Sequence, residues 1–263
     1  LDGLGGEAYP TDVGIHEGRI AEVGSASPGR EEIDGQGMTL APGFIDTHSH
    51  DDGAFFRYPG MEFKLAQGVT TVVAGNCGFS AIPLEPGVEP GKLSGGILAG
   101  IESEFTDLDG YFSAVLKRKP GINNMMLVGH NSVRTLVMGM EKRAPGSGEL
   151  QQMKDHVARA IEQGACGFSS GLIYRPGRWS DTDEVAALAA EAAATDALYT
   201  THMRNEGDHL LDAVDEALQI GREADVHLHI SHHKSAGPAN WGKVSDSLAR
   251  VDAALAAGQP VTL

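Results

Sequence analysis

Histidine and cysteine side chains follow four apolar, strand-like runs of the sequence. They are His48, His50, Cys77, His202 and the adjacent pair His232–His233. Successive side chains of an extended chain alternate in direction, so His48 and His50 project to the same side and can bind one ion together. A His-X-His pair alone is a weak signal, because most such histidines serve packing or hydrogen bonding.

The joint pattern of these residues is more specific than any one of its members. Cys77 lies just beyond the run Val69–Ala74 and is flanked by glycines, which predicts an accessible thiol. Cys166 precedes its strand-like run and fits the usual buried thiol. If the strand ends converge, imidazole nitrogens and one thiolate meet, and this donor set favours zinc over magnesium or calcium. Zinc acidifies water and polarises carbonyl groups, so the pattern indicates hydrolytic chemistry.

Alternating strands and helices from residue 41 onward must position these residues. Apolar residues recur with helical spacing between the runs, as at Val185, Leu188 and Ala192. Repeated β–α units predict a parallel sheet, and polar residues at many strand ends are typical of a barrel mouth. We therefore predict an α/β fold of the (β/α)8 TIM-like type, incomplete in this chain, with an open doubly wound sheet as the alternative. The seven predicted strands are Gly43–Ile45, Val69–Ala74, Asn124–Val128, Gly167–Ile173, Ala197–Thr201, Val226–Ile230 and Pro260–Leu263.

The first 40 residues have a different pattern. Residues 12–24 read as two short strands around the Glu17-Gly18 turn, which predicts a β-hairpin. We therefore expect residues 1–40 to form part of a small β-rich domain and residues 41–263 to form barrel strands 1 to 7.

Composition and charge limit the classes of partner. The 263 residues carry a formal net charge of −16, which argues against nucleic acid because phosphates require clustered cations. We find no apolar run long enough to cross a bilayer. Two widely separated cysteines fit a reducing compartment, so we expect a cytoplasmic protein acting on a small molecule.

Five motifs occur in order along the chain. They are APGFIDTHSH at 41–50, GVTT through GNCGFS at 68–80, GFSSGLIY at 167–174, THMRNE at 201–206 and ISHHK at 230–234. Together they resemble the D-aminoacylases, or N-acyl-D-amino-acid deacylases, of the amidohydrolase superfamily. The resemblance extends through essentially the whole chain, and it implies zinc-dependent hydrolysis of the amide bond of N-acyl-D-amino acids.

The resemblance also implies roles for individual residues. His48 and His50 correspond to ligands of a weakly occupied metal position, and Cys77 corresponds to a thiolate that can bridge two positions. His202 and His232 complete a tightly held position, although strict strand alternation from Val226 would favour His233 over His232. The substrate carboxylate is expected to be held by Tyr174 and Lys234, and a lysine ammonium suits such an anion.

Two features of the resemblance leave alternatives open. Related hydrolases of cyclic amides, such as hydantoinases and dihydroorotases, bridge their metals with a carboxylated lysine on the fourth strand, and residues 167–174 contain no lysine. The family's general acid/base is an aspartate on an eighth strand, which is expected beyond Leu263. We therefore expect this chain to be a segment of a longer enzyme, and a different amidohydrolase activity or a non-catalytic fragment remains as the alternative.

Overall fold

The chain forms two compact units, which span Leu1–Phe44 and Ile45–Leu263. The computed structural model describes residues 1–86, 90–102 and 105–263. The domain boundary after residue 40 stays a prediction. Among the helices of the described ranges, none combines the length and apolar character that crossing a bilayer requires.

The N-terminal unit contains an antiparallel hairpin. Strand β1 spans Asp12–His16 and strand β2 spans Arg19–Gly24. Glu17 and Gly18 both have positive φ, 49° and 73°, which is the backbone of a tight two-residue hairpin turn. The predicted hairpin is therefore confirmed.

Seven strands of the described chain form one sheet whose spatial order equals their sequence order. Adjacent strands from β4 to β9 pair in parallel. Short apolar runs separated by helices give this arrangement, and the predicted TIM-like barrel, incomplete in this chain, is confirmed. The strands are β3 (Phe44–Asp46), β4 (Val69–Ala74), β5 (Asn123–Gly129), β6 (Gly167–Gly171), β7 (Leu198–His202), β8 (Leu228–Ile230) and β9 (Val261–Thr262).

The helices lie between the strands, and consecutive longer helices pack side by side. They are α1 (Ala54–Arg57), α2 (Glu62–Leu65), α3 (Pro90–Leu93), α4 (Leu108–Leu116), α5 (His130–Met138), α6 (Ser147–Glu162), α7 (Thr182–Ala193), α8 (Leu210–Glu223) and α9 (Lys243–Ala256). Short 3-10 turns span Asp51–Gly53, Gly177–Trp179 and Pro238–Asn240. The Asp181 side chain caps α7 by accepting a hydrogen bond from the backbone N–H of Glu184 at 2.8 Å.

A fully buried ionic cluster joins α5 to α7. The Arg134 guanidinium donates to both carboxylate oxygens of Glu184 at 2.8 Å, and His130 Nε2 lies 2.9 Å from the same carboxylate. The side chains are 0–1% exposed, so His130 belongs to the core rather than to the mouth of the barrel. Such a cluster is stable only while every charge keeps its partner.

Replacing Glu184 with Ala should leave the Arg134 charge buried and unpaired, at a cost of about 3–5 kcal/mol of unfolding free energy. Urea unfolding of the two proteins measures the difference. Glu191→Ala on the same helix is the control, because Glu191 pairs with Lys154 at a partly exposed site. Exposed pairs contribute about 0–1 kcal/mol to stability. Equal losses of unfolding free energy in the two variants would therefore contradict the assignment of Glu184 and Arg134 as a buried ion pair.

Candidate metal centre

The predicted ligands lie at the carboxyl ends of four strands. His48 and His50 follow β3, Cys77 follows β4, His202 is the last residue of β7, and His232 comes two residues after β8. In parallel β/α folds these ends meet at one face of the sheet, which brings residues distant in sequence together.

The thiol of Cys77 is the meeting point of three of these imidazoles. Its Sγ atom lies 3.5 Å from His48 Nε2, 3.6 Å from His202 Nδ1 and 3.6 Å from His232 Nε2. The His50 ring lies 5.5 Å from the His48 ring, between centroids. His233 instead contacts Ser247 Oγ at 2.9 Å, so it faces away from Cys77.

Backbone conformation explains why His232 faces the cluster although strand alternation favours His233. His232 has a φ of +41°, in the left-handed region, so the regular alternation of β8 has already ended before this residue. Cys77 also has positive φ, at +55°. Non-glycine residues in this region carry strain of order 1–3 kcal/mol, which is found most often at functional sites.

The loop that carries Cys77 is fixed by buried hydrogen bonds. Ser169 Oγ donates to the Gly75 carbonyl at 2.5 Å and accepts from Gly78 N–H at 3.1 Å. The buried Asp52 carboxylate accepts from the N–H groups of Gly75 and Ala81. A side chain at Gly75, where φ is +80°, would overlap the Leu127 carbonyl, so this position requires glycine.

Burial keeps three of the predicted ligands neutral. Burial lowers the pKa of His48 and of His202 to about 4, so both imidazoles are neutral at pH 7 with one ring nitrogen free to bind a cation. Burial also raises the pKa of the Cys77 thiol to about 12, and Glu206 acts in the same direction. A metal ion that binds the thiolate therefore displaces a proton.

Sequence reasoning missed Glu206, a buried carboxylate next to the cluster. Its Oε1 atom lies 2.5 Å from Lys234 Nζ, 3.2 Å from His232 Nδ1 and 3.5 Å from His202 Nε2. Burial alone would raise the pKa of Glu206, but hydrogen bonds from His232 and Lys234 outweigh it and lower the pKa to about 2. The only signal in the sequence was its place in the THMRNE motif, four residues after His202.

A cleft of about 610 Å³ opens beside the cluster. Tyr174 lies in its wall, with its hydroxyl 3.3 Å from His202 Nδ1. Lys234 is half exposed, and its ammonium group is held by Glu206. The cleft is lined by His50, Cys77, Phe79, Gly95, Ile97, Ile173, Tyr174 and Arg175. Its size suits a small organic ligand.

Two overlapping groups of side chains could hold metal ions. His48, His50 and Cys77 form one group, and Cys77, His202 and His232 form the other, with ligand atoms within 4.8 Å of one another in each group. Tetrahedral coordination by a thiolate at 2.3 Å and an imidazole at 2.0–2.1 Å requires a sulfur–nitrogen distance of about 3.6 Å. The observed distances of 3.5–3.6 Å fit this requirement. Buried His48 Nδ1 and His202 Nε2 make no hydrogen bond among the described residues.

Comparison with known proteins places this chain in a family. The model of the amidohydrolase family matches residues 31–260. The chain is 46% identical, over its whole length, to the N-acyl-D-glutamate deacylase of Alcaligenes xylosoxydans xylosoxydans, of which it covers 54%. The predicted resemblance to the D-aminoacylases is therefore confirmed.

Solved structures give the same result. The N-acyl-D-glutamate deacylase from Bordetella bronchiseptica, in complex with zinc and a phosphonate inhibitor, matches 99% of this chain with a TM-score of 0.91 and 41% identity. A D-aminoacylase matches 97% with a TM-score of 0.85 and 38% identity. The chain covers 55% and 54% of these structures, so it spans about half the length of the relatives it matches. The chain belongs to the amidohydrolase family.

Proposed function

We propose that this protein takes part in zinc-dependent hydrolysis of the amide bond of N-acyl-D-amino acids, giving a carboxylate and a free D-amino acid. The proposal depends on one observation. The Cys77 Sγ atom lies 3.5–3.6 Å from nitrogens of three imidazoles, the distance that two ligands of one tetrahedral zinc ion require. The names and structures of the relatives support the same activity.

The proposed ligands are His48, His50, Cys77, His202 and His232, with Cys77 shared by two metal positions. Zinc, when bound, supplies Lewis-acid chemistry that polarises an amide carbonyl and acidifies water. The imidazoles of His48 and His202 can hold such an ion without prior loss of a proton, because burial lowers the pKa of each to about 4. The sulfur and nitrogen donors favour zinc over magnesium or calcium.

Tyr174 of the cleft and the nearby Lys234 are proposed to bind the substrate. Tyr174 and the Lys234 ammonium group are suited to the α-carboxylate of the amino acid. Glu206 is a poor proton acceptor, because its pKa is about 2, so we assign it no proton transfer. Free, widely separated cysteines support a reducing, cytoplasmic location for this chemistry.

Arg175 supports a finer proposal, a preference for substrates with an acidic side chain. It lines the cleft and pairs with no carboxylate among the residues that the structure describes. Its guanidinium carbon lies 5.7 Å from the centre of the Trp179 ring, which leaves its hydrogen-bond donors available. The identity to the N-acyl-D-glutamate deacylase supports the same preference.

Zinc content tests the ligand assignment. We expect the wild-type chain to retain zinc after dialysis against metal-free buffer, and Cys77→Ala to lose it because the thiolate contributes to both metal positions. Cys166→Ala is the matched control, since its thiol contacts the Met126 carbonyl far from the cluster and should not affect metal content. Elemental analysis of the three proteins gives the result, and a metal-replete Cys77→Ala would refute the ligand set.

Substrate assays on the purified protein test the reaction. We expect N-acetyl-D-glutamate to be hydrolysed at least about 100-fold faster, by kcat/KM, than its L enantiomer, because fixed contacts to the carboxylate and the amide accept one configuration. Amine release followed by chromatography measures both rates. Preferential hydrolysis of hydantoin would favour the cyclic-amide alternative, and absence of any turnover would favour a non-catalytic role.

Replacing Arg175 with Met should lower kcat/KM for N-acetyl-D-glutamate about 10- to 150-fold, the range that corresponds to loss of a charge-assisted hydrogen bond of about 1.5–3 kcal/mol. N-acetyl-D-leucine, which offers no second carboxylate, should change much less. Arg178→Met, three residues along the same segment, serves as the control. Equal losses on both substrates would show that Arg175 does not determine specificity.

A further inference from the structure

One carboxylate faces both imidazoles of the Cys77–His202–His232 group on the side away from the thiol. In His232 the Nε2 atom faces Cys77 at 3.6 Å and the Nδ1 atom faces Glu206 at 3.2 Å. In His202 the two ring nitrogens have the opposite roles. Its Nδ1 atom lies 3.6 Å from Cys77, and its Nε2 atom lies 3.5 Å from Glu206. Both rings therefore lie between the same sulfur and the same carboxylate.

This arrangement has a chemical consequence for metal binding. A neutral imidazole that gives one nitrogen lone pair to a cation carries its hydrogen on the other nitrogen. In both rings that second nitrogen lies within 3.5 Å of Glu206 Oε1, and Glu206 is only 8% exposed. Carboxylates in this position fix the tautomer and orientation of ligand histidines and increase their basicity.

The same carboxylate also holds Lys234. Lys234 Nζ lies 2.5 Å from Glu206 Oε1 and 3.1 Å from His232 Nδ1. The backbone is fixed as well, since the Ala236 N–H donates to the Glu206 carbonyl at 2.6 Å and joins the segments after β7 and β8. Glu206 therefore lies within 3.5 Å of His202, His232 and Lys234.

We propose that Glu206 is a positioning residue that orients His202 and His232 for zinc and aligns Lys234 with the metal site. This inference rests on the zinc site of the proposed function, and it adds a residue that ligates nothing itself. A residue with this role differs from a ligand, because its loss weakens metal binding without changing which atoms bind the metal.

The test uses Glu206→Gln, which keeps the size of the side chain and removes its charge. Zinc competition against a chromophoric chelator should give a zinc Kd about 10- to 100-fold weaker than that of the wild-type chain. Cobalt should still produce the thiolate-to-cobalt charge-transfer band at saturation, with its midpoint at a higher cobalt concentration. Cys77→Ser, by contrast, should lose the band.

Glu216→Gln is the matched control for loss of a partly buried ion pair. Glu216 pairs with Arg204 at 2.8 Å, in the same part of the chain but away from the ligands, and its substitution should leave the zinc Kd within about threefold. Glu206→Asp, which retains a carboxylate of shorter reach, should fall between the wild type and Glu206→Gln. Urea unfolding of the metal-free variants checks that each is folded.

The outcomes separate the inference from the proposed function. If the wild-type chain binds no zinc, both proposals fail. If it binds zinc and Glu206→Gln binds equally well, or if Glu216→Gln weakens binding to the same extent, the role of Glu206 alone is refuted. Loss of the cobalt band in Glu206→Gln would also overturn the inference, since it would mean that Cys77 no longer binds.

Discussion

The site depends on the backbone that holds Cys77 at the carboxyl end of β4. The residue has a left-handed φ of +55° and is only 5% exposed, so its sulfur cannot relax toward solvent. Hydrogen bonds from Ser169 and to Asp52 fix the loop on two sides. Since the thiol then occupies a fixed point, imidazoles from three other strands need only approach that point for a metal-binding geometry to arise.

Electrostatics at this point follow from burial. Burial holds the Cys77 thiol and the imidazoles of His48 and His202 neutral, although the whole chain has a net charge of −16. Glu206 lies beside the cluster as an ionised carboxylate, and it keeps its charge because His232 and Lys234 donate to it. A divalent cation would therefore meet neutral donors at Cys77, His48 and His202, with the Glu206 carboxylate and the Lys234 ammonium group behind His232.

Much of the fold and part of the site could be predicted from sequence, because strand and helix periodicities and residues at strand ends are local patterns. The choice between His232 and His233 could not be made from alternation, since the left-handed φ of His232 breaks it. Glu206 lies in an irregular segment, where spacing predicts no direction for a side chain. The buried pair of Glu184 and Arg134 joins residues 50 positions apart, and such contacts depend on how the helices pack.

The loop that carries Cys77 also constrains strand β6. Any side chain at Gly171, the last residue of β6, would overlap the carbonyl group of Cys77. Ser169, two residues earlier, holds the Cys77 loop through its hydrogen bond to the Gly75 carbonyl. The end of β6 is therefore filled by the backbone of this loop, and a long side chain there could not reach the metal positions without displacing it. A long side chain at the end of β6 and the loop that carries Cys77 would thus compete for the same space, and Gly171 leaves that space to the loop.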